Sequence, residues 1–204
     1  MSNRTGIVLH NIKAVYWSIP KNACTSLRKY FADYLGLEYS GKVHDAPFEW
    51  TNEVREDYFH FAIVRHPISR LYSLYKNKFH SDLRTNEEYN KGVERAVFSS
   101  WNILKGDMTF NEFVKFVITV PYKYAEIHFK PQCLILPQSD LIKCIKLVDI
   151  EKELPEVFKK LGLNYSIPYE NKTDYTYGWK QVLSKNNSKL LNEYYAGDFA
   201  RFGY

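Results

Sequence analysis

Two short stretches of the chain concentrate the residue types that can grip a phosphate-like anion. Pro20-Lys21-Asn22-Ala23-Cys24-Thr25-Ser26-Leu27 offers an ammonium followed by two hydroxyls. Arg65-His66-Pro67-Ile68-Ser69-Arg70-Leu71-Tyr72-Ser73 offers a guanidinium fork and, further on, the hydroxyl of Ser73. Lysine is a mobile point charge, whereas arginine is a planar, bidentate donor, so together they can hold two separate anionic groups. That chemistry needs both stretches at one edge of a scaffold, each on a loop entering a helix, where N–H groups and the positive end of the helix dipole face a ligand.

The flanking residues supply such a scaffold. Ile12 to Ile19 is a β-branched and aromatic run ended by Pro20, and Leu27, Tyr30, Phe31, Tyr34 and Leu35 then recur at helical spacing up to Gly36. Phe59 to Val64 is a near-continuous apolar strand, Pro67 suits a first helical position, and Ile68, Leu71, Tyr72, Tyr75 and Phe79 form the next helix stripe. Two strand-to-helix units predict an α/β fold with a central parallel β-sheet flanked by helices, binding ligands at the carboxyl ends of its strands. Farther along, Phe110, Phe113, Val114 and Val117 predict a helix, and Cys133–Leu136 and Ile142–Val148 predict short strands. Ile150, Leu154, Phe158 and Leu161 mark a helix closed by Gly162, and Leu190, Leu191, Tyr194 and Tyr195 mark the last one. No internal repeat or Pro/Gly/Ser-rich linker divides the chain, so residues 1–204 read as a single domain.

Composition narrows the class without naming a function. Hydrophobic residues make up 45% and charged residues 25% of 204 positions, which excludes disordered and fibrous sequence. The net charge of +5 suits an anionic ligand but falls short of the Lys and Arg density of a nucleic-acid binder. Three cysteines, widely spaced, fit neither a disulfide framework nor a metal site and point to a reducing compartment. No run of about 18 apolar residues and no signal-peptide pattern is present, so the expected location is the cytoplasm. The first loop lacks G-x-x-x-x-G-K-[ST], which disfavours a nucleoside-triphosphatase. No acidic metal cluster is visible, and no metal is expected.

The two anion-binding stretches, S-I-P-K-N-A-C-T-S-L (18 to 27) and F-A-I-V-R-H-P-I-S-R-L-Y-S-L-Y-K-N-K-F (61 to 79), resemble landmarks of the Golgi-type carbohydrate sulfotransferase family, which includes the HNK-1 and chondroitin 4-O sulfotransferases. H-F-K-P-Q (128 to 132), L-V-D-I-E-K-E-L (147 to 154), E-N-K-T (170 to 173) and the terminal Y-Y-A-G-D-F-A-R-F-G-Y extend the resemblance over nearly the whole chain. It implies a P-loop-like sulfotransferase fold and transfer of a sulfuryl group from 3′-phosphoadenosine 5′-phosphosulfate (PAPS) to a hydroxyl of a saccharide: a glycan, polysaccharide or glycolipid. Carried over by residue, Lys21, Asn22, Ala23, Cys24, Thr25 and Ser26 bind the 5′-phosphosulfate, and Arg65 with Ser73 binds the 3′-phosphate. Lys21 also acts catalytically. His44 lies in the connection where relatives place a catalytic His or Glu and is the expected base, with Asp45, Glu49 and Glu53 as rivals. His128 and Gln132 are expected to line the acceptor side, while His60 and His66 read as structural. The alternatives are a P-loop-like phosphotransferase and a non-catalytic module that binds an anionic glycan or nucleotide.

Overall fold

The computed structural model describes residues 5–39, 48–79, 108–166 and 178–204. In chain order its regular elements are β1 (Gly6–Leu9), β2 (Ala14–Trp17), α1 (Cys24–Tyr34), β3 (Trp50–Thr51), β4 (Phe59–Val64), α2 (Pro67–Phe79), α3 (Phe110–Thr119), β5 (Ile142–Lys146), α4 (Ile150–Lys160), α5 (Trp179–Val182), α6 (Lys185–Tyr194) and α7 (Ala196–Phe202). The chain groups into two compact units, residues 1–65 with 132–172 and residues 66–131 with 173–204.

The first unit is built on a five-stranded sheet in the order β3-β1-β2-β4-β5. Parallel pairing, read from the two strand-to-helix units, holds at its centre, where Tyr16 sits opposite Phe61 and Ala62 opposite Cys144. The other edge is antiparallel, because β1 and β2 form a hairpin and β3 adds to β1. The hairpin is tight: residues 10–12 make one 3-10 turn and Lys13, at φ 46°, takes the left-handed conformation that reverses the chain. Gly6 is required where the hairpin meets β3, since a Cβ there would lie 3.0 Å from the Thr51 carbonyl oxygen and from the Trp17 ring. β2 and most of β4 are buried on both faces, which is why they read as continuous apolar runs rather than as alternation. Tyr16, Phe61 and Ile145 meet Leu27 and Phe31 of α1 and Leu154 and Phe158 of α4 in one core, with Tyr16 and Phe31 ring centroids 5.6 Å apart.

Residues 133–136 are not the strand their composition predicts. Gln132–Leu134 is a 3-10 turn, with the amides of Ile135 and Leu136 both donating to the Gln132 carbonyl. The turn places Cys133 and Leu136 inside and leaves Leu134 46% exposed, a spacing of three rather than two.

The second unit is helical in its described residues. Ile68, Leu71, Tyr72 and Tyr75 of α2 pack with Phe110, Phe113, Val114 and Val117 of α3 and with Leu191 and Tyr195. A capping box sets the start of α3: Thr109 accepts from the Glu112 amide while the Glu112 carboxylate accepts from the Thr109 amide.

These interiors differ in what a truncation removes. Phe158→Ala empties a fully buried ring site and should cost about 3–5 kcal/mol, whereas Gly162→Ala, at φ +69° in open space, should cost only about 1–2 kcal/mol of backbone strain. Denaturant unfolding checks the ranking, and equal losses would contradict the packing described.

Candidate functional site

The loop between β2 and α1 carries the densest set of the sequence-derived site residues. Lys21 and Ala23 both have positive φ, 69° and 56°, and are two of three such non-glycine residues among those described. Each costs about 1–2 kcal/mol in that region, so the surroundings must over-determine the loop. Left-handed residues thus flank Asn22 on either side, a backbone pattern of the kind from which anion-binding nests are built. α1 begins at Cys24 with Ala23 as its N-cap, which has no acceptor side chain, so Thr25 and Ser26 lie inside the first turn and do not cap it. Lys21, Cys24 and Thr25 are half-buried, and Ser26 is buried.

A buried amide lattice supplies the constraint. Asn22, with no exposed surface, donates from Nδ2 to the Ile63 carbonyl at 2.9 Å and to Gln132 Oε1 at 2.7 Å. Gln132, equally buried, accepts the Arg65 amide at Oε1, 3.0 Å, and donates from Nε2 to the Arg65 carbonyl, 2.8 Å. Arg65 directly follows Val64, the last residue of β4, and the carboxamide pairs with both its backbone groups as a neighbouring peptide would. Arg65 itself is 7% exposed and donates from its guanidinium to the Lys21 carbonyl at 3.3 Å. The structure therefore brings Lys21, Asn22 and Arg65 together at the carboxyl ends of β2 and β4. Arg28, 5% exposed, adds a buried guanidinium that donates to Ser18 Oγ at 2.9 Å and lies 5.3 Å from the Trp50 ring centre.

The remaining assignments divide. Ser73 is a buried residue of α2 in the second unit, at 8% exposure. His44 lies outside the described residues, as does Asp45. Glu49, a rival base, is engaged by His10 at 2.8 Å. Gln132 does not face an acceptor as expected, because its buried carboxamide is committed to Asn22 and Arg65. His60 is structural: Trp17 Nε1 donates to its Nδ1 at 3.2 Å, which puts the ring proton on Nε2, 2.8 Å from the Arg55 carbonyl. His66 packs among Trp179, Phe199 and Tyr204, with ring centres 5.3–5.5 Å away. His128 is half-buried and paired with Glu126. The structural roles of Asn22, Gln132 and Arg28 were not legible beforehand. A polar side chain in a loop looks the same in sequence whether it faces solvent or a neighbouring backbone.

Among the described residues, no group of three or more His, Cys, Asp or Glu side chains gathers as for a metal, and no helix is long and apolar enough to cross a membrane. The family model described as "Sulfotransferase family" matches residues 5–204. Carbohydrate sulfotransferase 14 of Danio rerio is 26% identical over 179 residues, which cover 78% of this chain and 47% of that protein. The chain thus spans about half the length of that relative. No solved structure matches.

The lattice predicts a sharp contrast between neighbours. Gln132→Leu strips partners from the Arg65 amide and carbonyl and from Asn22, and should destabilise the fold by about 2–4 kcal/mol. Leu134→Ala, at a 46% exposed site two residues on, should cost less than about 1 kcal/mol. Urea midpoints of the two variants decide the point, and a mild effect of Gln132→Leu would contradict the bridging role.

Proposed function

The chain belongs to the sulfotransferase family, and from that premise we propose that it transfers a sulfuryl group from PAPS to a hydroxyl of a saccharide. The observation that carries this reading is the strained, uncapped loop at Lys21–Ala23, tied by Asn22 and Gln132 to Arg65 at the end of the adjacent parallel strand. Such a loop is suited to a tetrahedral anion, and an arginine beside it is suited to a second one. The donor carries both, as a 5′-phosphosulfate and a 3′-phosphate. The carbohydrate name of the zebrafish relative supports a saccharide as acceptor.

In this mechanism the acceptor oxygen attacks sulfur as the bond from sulfur to the 5′-phosphate oxygen breaks, and negative charge builds on the departing phosphate. Lys21 and the N–H groups of residues 22–26 stabilise that charge, without needing a metal ion, and cost no reorganisation because the loop is already held in place. Arg65 holds the 3′-phosphate and so fixes the donor's register. His44 takes the proton that the acceptor hydroxyl sheds.

The test separates catalysis from binding. With PAPS labelled in the sulfuryl group and a panel of desulfated polysaccharides as acceptors, Lys21→Ala should lower turnover by roughly 10²–10³ while the fold survives. Arg65→Ala should weaken 3′,5′-adenosine bisphosphate by about 2–5 kcal/mol in calorimetric titration, yet barely alter the binding of adenosine 5′-phosphosulfate, which has no 3′-phosphate. Near-normal turnover in folded Lys21→Ala, or equal losses for both nucleotides in Arg65→Ala, contradicts the assignment.

A further inference from the structure

Residues 126–130 of the second unit hold a half-buried imidazole with unusual care. Glu126 accepts the His128 main-chain N–H at Oε2, 2.8 Å, and His128 Nδ1 at Oε1, 2.7 Å. The side chains of His128 and Glu126 keep 27% and 28% of their exposure. Glu126 Oε1 accepts from Nδ1, and in that Nδ1–H tautomer Nε2 is left as a hydrogen-bond acceptor. Among the described residues nothing pairs with Nε2.

The turn beneath this ring is fixed by buried donors. Arg70, 1% exposed, donates to the carbonyls of Ile127 at 2.6 Å and Lys130 at 2.8 Å. Tyr195, also 1% exposed, donates to the Phe129 carbonyl at 2.6 Å, and burial holds its phenol well above the usual pKa, so it stays a donor. The amides of Phe129 and Lys130 both donate to the Glu126 carbonyl, and the Phe129 ring is buried. An exposed ion pair contributes little, whereas burying a guanidinium is costly unless its hydrogen bonds are met. Committing Arg70 and Tyr195 to three successive or near-successive carbonyls of one short turn is far more than a Glu–His surface pair needs for its own sake. It is what a preorganised acceptor atom at a fixed place needs.

We propose that His128 Nε2 receives a hydrogen bond from a hydroxyl of the saccharide acceptor, with Glu126 as the positioning residue that sets its tautomer and aim. This deepens the functional reading above and rests on it. The ligand class follows from the atom: a neutral nitrogen acceptor selects a hydroxyl donor, of which a saccharide has many, over a phosphate, which has none to give when ionised. His128 binds the acceptor and is distinct from the base that takes the reacting proton.

The test is steady-state kinetics at saturating donor on wild type, His128→Ala, Glu126→Gln and the double variant. The acceptor is chemically desulfated chondroitin, or the polymer of the panel above that turns over fastest. His128→Ala should raise the acceptor KM about tenfold, the size of one lost hydrogen bond, with kcat within about threefold of wild type. Glu126→Gln should raise the same KM by a smaller factor, and the double variant should be no worse than His128→Ala, because the two act through one atom. Affinity for 3′,5′-adenosine bisphosphate and the unfolding midpoint of Glu126→Gln should stay near wild type. An unchanged acceptor KM, a collapse of kcat at constant KM, or a loss of bisphosphate affinity in His128→Ala overturns this proposal while leaving the donor reading standing. Wild-type protein that neither binds the bisphosphate nor sulfates any polymer overturns both.

Discussion

The carboxyl end of the parallel strands in the first unit depends on one buried carboxamide. Gln132 closes the backbone of Arg65 just past the last residue of β4 and, through the same oxygen, holds Asn22 in the middle of a loop with a left-handed residue on each side. Two such residues store about 2–4 kcal/mol of strain, and the four hydrogen bonds of the Asn22–Gln132 lattice contribute about 0.5–1.5 kcal/mol each, so the two are of similar size. The lattice therefore holds the loop without a large surplus. The loop can carry strain because the buried side-chain amides of Asn22 and Gln132 fix it from behind.

Placing the constraint in side chains has a consequence for the backbone. Asn22 and Gln132 meet the backbone requirements of Ile63 and Arg65, and α1 opens beside them with no side-chain cap. The same logic recurs in the second unit, where Arg70 and Tyr195 satisfy the carbonyls of the turn that carries His128. In each unit, buried polar groups bond backbone beside a partly exposed group, the loop at Lys21 or the imidazole of His128.

How far the sequence reveals this depends on the kind of signal. Helical spacing made α1, α2, α3 and α4 readable, and the apolar runs of β2 and β4 located the parallel core, because periodicity reports burial directly. β1 escaped notice since a four-residue hairpin arm is too short to establish a pattern, and residues 133–136 looked like a strand because an apolar 3-10 turn has the same composition. At the site, Lys21 and Arg65 stood out by charge and by position after a strand. Gln132 did not, because its role lies in where its amide points, and Glu126 did not, because a carboxylate two residues ahead of a histidine has no meaning until the turn between them is known.

The central claim is that the loop at residues 21–26, held by Gln132, is the anion-binding edge of a sulfotransferase. The most direct measurement is an NMR titration of ¹⁵N-labelled protein with 3′,5′-adenosine bisphosphate, following each backbone amide. The account predicts that the amides of Lys21 to Ser26 shift most, together with the Arg65 side chain, in a single saturable process that Gln132→Leu weakens. Saturable binding that leaves those amides unmoved, or shifts of the same size with ATP and none with the bisphosphate, would contradict it.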